Sequence, residues 1–165
     1  MERKLKNKIA VYPGTFDPIT NGHVDLIERG LRIFDRIIIA VAPSLNKSPF
    51  FTLEERVDLI REVIGRNSRI EIDVIEGLLV EYVRKNKAVA VIRGLRAVSD
   101  FEYEFQLALM NRKMDPNFET VFLMPSERYT YLSSSIIKEV AKLGGSLKDM
   151  VPVVVENKLK EKINQ

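Results

Sequence analysis

The sequence predicts an α/β fold: one doubly wound domain with a five-stranded parallel sheet and a C-terminal helix. Three observations lead there. Short apolar runs recur at residues 9–12, 36–42, 70–75, 88–92 and 120–124, and segments with helical periodicity lie between them. The chain has 165 residues, close to one domain at roughly 150 residues each. The runs are nearly all apolar, which implies burial on both faces of an open sheet and right-handed crossovers between its strands.

The first run leads into Pro13 and Gly14, where a missing side chain lets backbone approach a ligand closely. Pro18 stiffens the same turn. Thr20 or Asn21 then caps a helix whose expected buried face is Val24, Ile27, Leu31 and Phe34, which puts His23 in the first helical turn. That end of a helix is electropositive and suits a phosphate. Thr52-Leu53-Glu54-Glu55 is a capping box opening a second helix with Leu53, Val57, Ile60 and Ile64 on one face, and Ser99-Asp100-Phe101-Glu102 repeats the device. Ser133 or its neighbours cap a helix that ends at Gly144-Gly145, and Val155, Leu159 and Ile163 mark a terminal helix after Pro152.

Composition narrows the function. Lys+Arg number 26 against Asp+Glu 23, a net charge of +3, and the basic residues are interleaved with acids. A nucleic-acid footprint is therefore not expected. The absence of cysteine excludes disulfides, zinc–thiolate sites and thiol nucleophiles and fits a reducing cytoplasm. No apolar run is long enough for a signal-peptide core or a membrane span, so a cytoplasmic protein with no membrane partner is expected.

In doubly wound sheets ligands bind beyond the carboxyl ends of the strands. That rule gathers the loops 14–23, 43–51, 77–79, 93–96 and 125–135, which carry Thr15, His23, Lys47, Arg93, Arg96 and the run Ser133-Ser134-Ser135. This is chemistry for several phosphates. No GxxxxGK[ST] motif is present, which argues against a P-loop kinase, and a single histidine cannot build a His-based metal site.

The turn YPGTFDPITNGH resembles the nucleotidylyltransferase superfamily, and with FTLEERVDLI, VIRGLRAVSDFEYEFQLALMNR, VFLMPS and YLSSSIIKEVA it is similar to the phosphopantetheine adenylyltransferase branch over nearly the whole chain. Thr20 stands where many members of the superfamily carry a first histidine, a departure usual in this branch. The resemblance implies a Rossmann-like domain that transfers the adenylyl group of ATP to 4′-phosphopantetheine, giving dephospho-coenzyme A and pyrophosphate. It implies that Thr15 contacts both substrates, that Phe16 presents its backbone to ATP, and that His23 is catalytic, steadying charge on the α-phosphate. Lys47 and Arg93 match positions holding the phosphopantetheine phosphate, and Leu79 one lining the pantetheine arm. Gly94, Leu95, Arg96 and Glu104 match ATP contacts, as do Tyr129, Thr130, Tyr131, Leu132, Ser133, Ser134 and Ser135 around the β- and γ-phosphates. Leu132 replaces a common Ile. With no acidic cluster to cage a metal, Mg²⁺ is expected to arrive on the ATP phosphates. A homohexamer and feedback inhibition by coenzyme A are also implied.

Residue by residue, blander readings stay open. Lys47 can be a solvated lysine, Arg93 and Arg96 can pair with Asp100, Glu102 or Glu104, and Ser133 can serve only as a cap. Glu104 can be a surface helix residue, and Tyr129 and Tyr131 ordinary packing. Two functional alternatives also stand: another nucleotidylyltransferase, acting on nicotinamide mononucleotide or using CTP, and a non-catalytic sensor of ATP or coenzyme A on the same fold.

Overall fold

The computed structural model describes residues 7–44, 48–96 and 98–164. Along the chain run β1 (Ile9–Gly14), α1 (Asn21–Gly30), β2 (Arg36–Val41), α2 (Leu53–Ile64), β3 (Ile70–Val74), α3 (Leu79–Lys85), β4 (Ala90–Gly94), α4 (Val98–Met114), β5 (Thr120–Leu123), a short 3₁₀ turn (Glu127–Tyr129), α5 (Ser134–Lys142) and α6 (Val153–Ile163). The five strands form one parallel sheet in the order β3-β2-β1-β4-β5. The chain builds outward from β1 to β3, then returns to pair β4 on the other side of β1. The crevice beyond β1 and β4 is therefore the topological switch point, the place where such sheets take ligands.

Strand alternation explains the two layers. Ala10 and Tyr12 of β1, Ile37 and Ile39 of β2 and Ile92 of β4 pack with Ile27 of α1, Ile60 of α2, Ile137 of α5 and Leu159 of α6. Val11, Ile38, Ala40 and Val91 point the other way, onto Val80 and Val83 of α3 and Phe118. Helices thus cover both faces, as the apolar central strands require.

The edge strands depart from the expectation of burial on both faces. In β3, Ile70, Ile72 and Val74 are half-buried while Glu71 and Asp73 are exposed, and β5 is half-buried throughout. An edge strand has a neighbour on one side only, and the alternation Ile-Glu-Ile-Asp-Val already carries that signature.

Local signals account for the helix ends. Thr20 is the N-cap of α1, and Thr52 and Glu55 close the expected capping box of α2 through Glu55 N–H to Thr52 Oγ1 (3.2 Å) and Thr52 N–H to Glu55 Oε2 (2.7 Å). Helix α1 stops at Gly30, so Leu31 and Phe34 lie beyond it, and Leu26 and Ile27 carry its buried face. A Cβ on Gly30 would sit 2.7 Å from Ile37 Cδ1 and 2.8 Å from Ile92 Cδ1; glycine lets the helix settle on the sheet. Helix α4 begins at Val98, so Ser99 falls inside its first turn rather than at the expected cap. Ser133 caps α5, α6 follows Pro152 as read from sequence, and among the described residues no helix is long and apolar enough to cross a membrane.

Candidate active site

At the carboxyl ends of β1 and β4 opens a cavity of about 610 Å³. Of the residues singled out from sequence, Thr15, Phe16 and His23 line it from the turn after β1, Leu79 from the start of α3, and Arg93, Gly94, Arg96 and Glu104 from β4 and α4. Tyr129, Leu132, Ser133, Ser134 and Ser135 close the far wall. Leu95, Thr130 and Tyr131 are not part of the lining. The Leu95 N–H is taken by Leu123 O (3.0 Å) in the β4–β5 ladder, the Thr130 hydroxyl donates to Glu127 O (2.8 Å), and the Tyr131 side chain faces outward, 60% exposed. Lys47 lies outside the described residues.

The spacing Thr20-x-x-His23 proves to be a capping box built with imidazole in place of the usual Glu. The His23 N–H points at Thr20 Oγ1 (3.4 Å), and the Thr20 N–H donates to His23 Nδ1 (2.9 Å). Because Nδ1 accepts a backbone hydrogen bond, the proton of the neutral ring resides on Nε2. Burial, with a smaller contribution from the Arg96 cation, pushes the His23 pKa down to about 4. At neutral pH the cavity thus contains an oriented, uncharged N–H donor. The ring is wedged by aromatic edges, with Phe16 5.1 Å and Tyr12 6.4 Å away between centroids.

Phe16 takes φ = +49°, a left-handed conformation uncommon for a bulky residue, and is almost fully buried. Its ring explains Gly14. A Cβ there would meet Phe16 Cε2 at 2.9 Å, so the glycine makes room for the Phe16 ring, and it also lines the cavity.

Opposite His23, Arg93 and Glu104 form a two-pronged ion pair, Nε to Oε2 at 2.6 Å and Nη2 to Oε1 at 2.5 Å, and Arg93 Nη1 reaches Pro13 O at 3.3 Å. Burial opposes the Arg93 charge, but the Glu104 carboxylate outweighs it and raises the guanidinium pKa. Arg96 Nη1 donates to Leu132 O (2.9 Å), tying the loop after β4 to the one before α5. At the end of that loop Ser133 Oγ accepts the Ile136 N–H (3.2 Å) and Ser134 Oγ donates to Pro18 O (2.8 Å). The first amides of α5 are left without helical partners, as at any helix start, and they border the cavity. This end of α5 is suited to phosphate oxygens.

Several contributors were not singled out from sequence. Tyr12 lines the cavity from β1, and burial raises its phenol pKa well above the ordinary value despite the opposing Arg93 and Arg96 charges, so it stays a neutral hydroxyl. Leu26 lines it from α1. Behind the walls Asp25 binds Ser126, accepting from the backbone N–H (2.8 Å) and the hydroxyl (2.6 Å), which moors the loop after β5 to α1. Arg56, 2% exposed, donates from Nη1 to Thr15 O (2.7 Å) and Ala42 O (2.9 Å). Such supports join residues far apart in sequence, and nothing in the local pattern announces them.

Comparison with known proteins agrees with this geometry. The cytidylyltransferase-like family model matches residues 11–140. The chain is 58% identical over 158 residues to a phosphopantetheine adenylyltransferase of Geotalea daltonii, covering 96% of this chain and 98% of that protein. It is 51% identical over 158 residues to the protein of the same name from Caldanaerobacter subterraneus, covering 96% and 99%. Among solved structures, a bifunctional NMN adenylyltransferase/ADP-ribose pyrophosphatase of Francisella tularensis superposes with a TM-score of 0.71 at 16% identity, over 97% of this chain and 50% of that one. A Vibrio parahaemolyticus chain provisionally named a nicotinate-nucleotide adenylyltransferase gives 0.69 at 20% identity, over 96% and 95%. At those identities the structures share the fold alone, whereas the sequence relatives align with more than half of their residues identical over nearly the whole of both chains: the chain belongs to the phosphopantetheine adenylyltransferase family of nucleotidyltransferases.

Proposed function

We propose that the protein transfers the adenylyl group of ATP to 4′-phosphopantetheine, releasing pyrophosphate and forming dephospho-coenzyme A. The observation that carries this reading is one cavity with an oriented neutral N–H donor, His23 Nε2, flanked by two separate anion-binding elements, Arg93 on β4 and the start of α5. Two phosphate sites fit two phosphorylated substrates bound together. An oxygen of the acceptor phosphate attacks the α-phosphorus of ATP, a new P–O–P link forms, and the bond to the β-phosphate oxygen breaks with its electrons leaving on pyrophosphate. A phosphate monoester has its second pKa near about 6, so the nucleophile is already anionic and no strong base is required. Positioning and charge stabilisation dominate.

In this reading His23 Nε2–H donates to an α-phosphoryl oxygen as charge builds there. A donor already held in place and out of water needs no reorganisation at the moment of reaction. Arg93 spends two donors on Glu104 and one on Pro13 O at 3.3 Å, which leaves donors of the five for the acceptor phosphate, with Lys47 as a second cation. Thr15 would touch both substrates, Leu79 the pantetheine arm, and Phe16, Gly94, Leu95, Arg96 and Glu104 the nucleotide. Residues 129–135 would surround the β- and γ-phosphates. Mg²⁺ would enter as part of the ATP substrate, held mainly by its phosphates.

A homohexamer and feedback by coenzyme A belong to the same proposal. In support of assembly, α4 leaves Tyr103, Phe105, Leu109, Met110 and Met114 exposed, an apolar face unusual on a free monomer. A cytoplasmic location fits the absence of cysteine. The test is pyrophosphate release from ATP with phosphopantetheine, pantetheine or nicotinamide mononucleotide, and with CTP in place of ATP. Release with ATP and phosphopantetheine alone supports the reading. Turnover of nicotinamide mononucleotide but not of phosphopantetheine, or tight nucleotide binding without any turnover, would overturn it.

A further inference from the structure

One buried carboxylate stands behind the site without lining the cavity. Asp17, buried in the turn between β1 and α1, accepts the Phe51 N–H on Oδ1 (2.8 Å) and the Phe50 N–H on Oδ2 (2.9 Å), and the same Oδ2 takes Lys138 Nζ at 2.7 Å. Phe50 and Phe51 lead into α2 from the loop after β2, three and four residues beyond Lys47 in sequence. Lys138 lies one turn into α5, four residues after Ser134, whose hydroxyl binds Pro18 O. One carboxylate therefore fastens the His23 turn to the loop after β2 and to the helix whose first amides border the cavity. It is 7% exposed at the side chain, and its lysine 24%. A buried charge costs desolvation, and each hydrogen bond that offsets it here goes to the backbone of the loop before α2 or to a lysine of the helix that borders the cavity.

We propose that the Asp17–Lys138 pair is the positioning device of adenylyl transfer: it holds the acceptor-side loop and the α5 phosphate site at fixed separation from His23. The inference rests on the reaction proposed above and deepens it. Neither residue touches substrate in this account; both act through the elements they tether. When reacting groups must meet in line, a displacement near 1 Å costs about 10²-fold in rate.

The experiment compares wild type with Lys138→Met, Lys138→Arg and Asp17→Asn, reading kcat, KM for each substrate, Tm, and hydrogen exchange at the Phe50 and Phe51 amides. Wild-type turnover of ATP with phosphopantetheine is measured first and tests the reaction by itself. With that established, Lys138→Met is expected to lower kcat about 10- to 100-fold with KM for both substrates changed less than about fivefold, and Lys138→Arg to recover activity to within about threefold. Asp17→Asn, which gives up the charge and one acceptor, is expected to lower kcat at least as far and to accelerate exchange at Phe50 and Phe51. A folded Lys138→Met protein with wild-type kcat and only a lower Tm would overturn the proposal, whether or not Asp17→Asn folds. If wild type shows no such turnover, the reaction fails while the tether is still judged by exchange: unchanged protection at Phe50 and Phe51 in Lys138→Met overturns it, and faster exchange supports it.

Discussion

The chain contains one histidine, so titrating it by NMR reads His23 without any assignment problem. Burial first, and the Arg96 charge second, bring its pKa from an ordinary 6.5 down to about 4. The difference of roughly 2.5 units corresponds to about 3 kcal/mol at 1.36 kcal/mol per unit, a ceiling because the ring keeps part of its surface open to the cavity. The sign follows from proton counts. Between pH 6.5 and 4 the unfolded chain protonates its histidine while the native chain does not, so stability contributed by the neutral ring is complete above pH 6.5 and drains away as the pH falls toward 4. The expected result is a ring resonance with no inflection near 6.5. The unfolding free energy of wild type minus that of His23→Gln should also fall across that window by up to about 3 kcal/mol, because glutamine does not titrate. Arg96→Met should move the pKa upward. An inflection at 6 to 7 in the native protein would mean that the imidazole is solvated, and would remove the argument for a permanently neutral donor.

Other consequences are simpler to state. His23→Ala should retain ATP binding and lose on the order of 10²- to 10⁴-fold in kcat, the range for one preorganised donor, as steady-state kinetics would show. Lys47→Ala and Arg93→Ala should raise KM for phosphopantetheine roughly 10- to 100-fold with a smaller effect on ATP, from a charge-assisted hydrogen bond of about 1.5 to 3 kcal/mol; loss of ATP affinity instead would mean that the two phosphate sites are interchanged. Thr20→Val removes the side-chain cap of α1 at a cost of about 1 kcal/mol, a Tm loss near 2–4 °C by calorimetry for a chain of this size. Asp17 should protonate below the usual carboxylate range: burial opposes the charge, but Lys138 and the Phe50 and Phe51 amides hold its pKa down, so its contribution to stability is complete well above about pH 4 and is lost as the pH falls through the lowered pKa. An acid-unfolding curve for Asp17→Asn that lacks this component checks the point.

The central strands were legible because Ile37, Ile38 and Ile39 in succession can only be buried on both sides, and the caps because Thr52 and Glu55 stand three apart in front of an apolar helical stripe. The edges were harder. The half-exposure of β5 depends on its place at the end of the sheet, which the run Thr-Val-Phe-Leu does not encode. Most of the cavity wall follows from one rule about strand ends, yet the rule does not say which loop residues turn inward: Tyr131 and Thr130 point away while their neighbours Tyr129 and Leu132 line the cavity. Long-range supports were invisible for the same reason. Asp17 meets Lys138 across 121 positions and Arg56 meets Thr15 across 41, and their sequence surroundings read as an ordinary turn and an ordinary amphipathic helix.

Adenylyl transfer to the acceptor phosphate fixes the direction of attack, and an oxygen label tests it. Phosphopantetheine with ¹⁸O in its three terminal phosphate oxygens, turned over with unlabelled ATP, should give dephospho-coenzyme A carrying all of the label and pyrophosphate carrying none, as seen by mass spectrometry of the two products. Label in the pyrophosphate, or an adenylylated product that appears equally from unphosphorylated pantetheine, would contradict attack by the acceptor phosphate on the α-phosphorus and with it the assignment of two phosphate sites around His23.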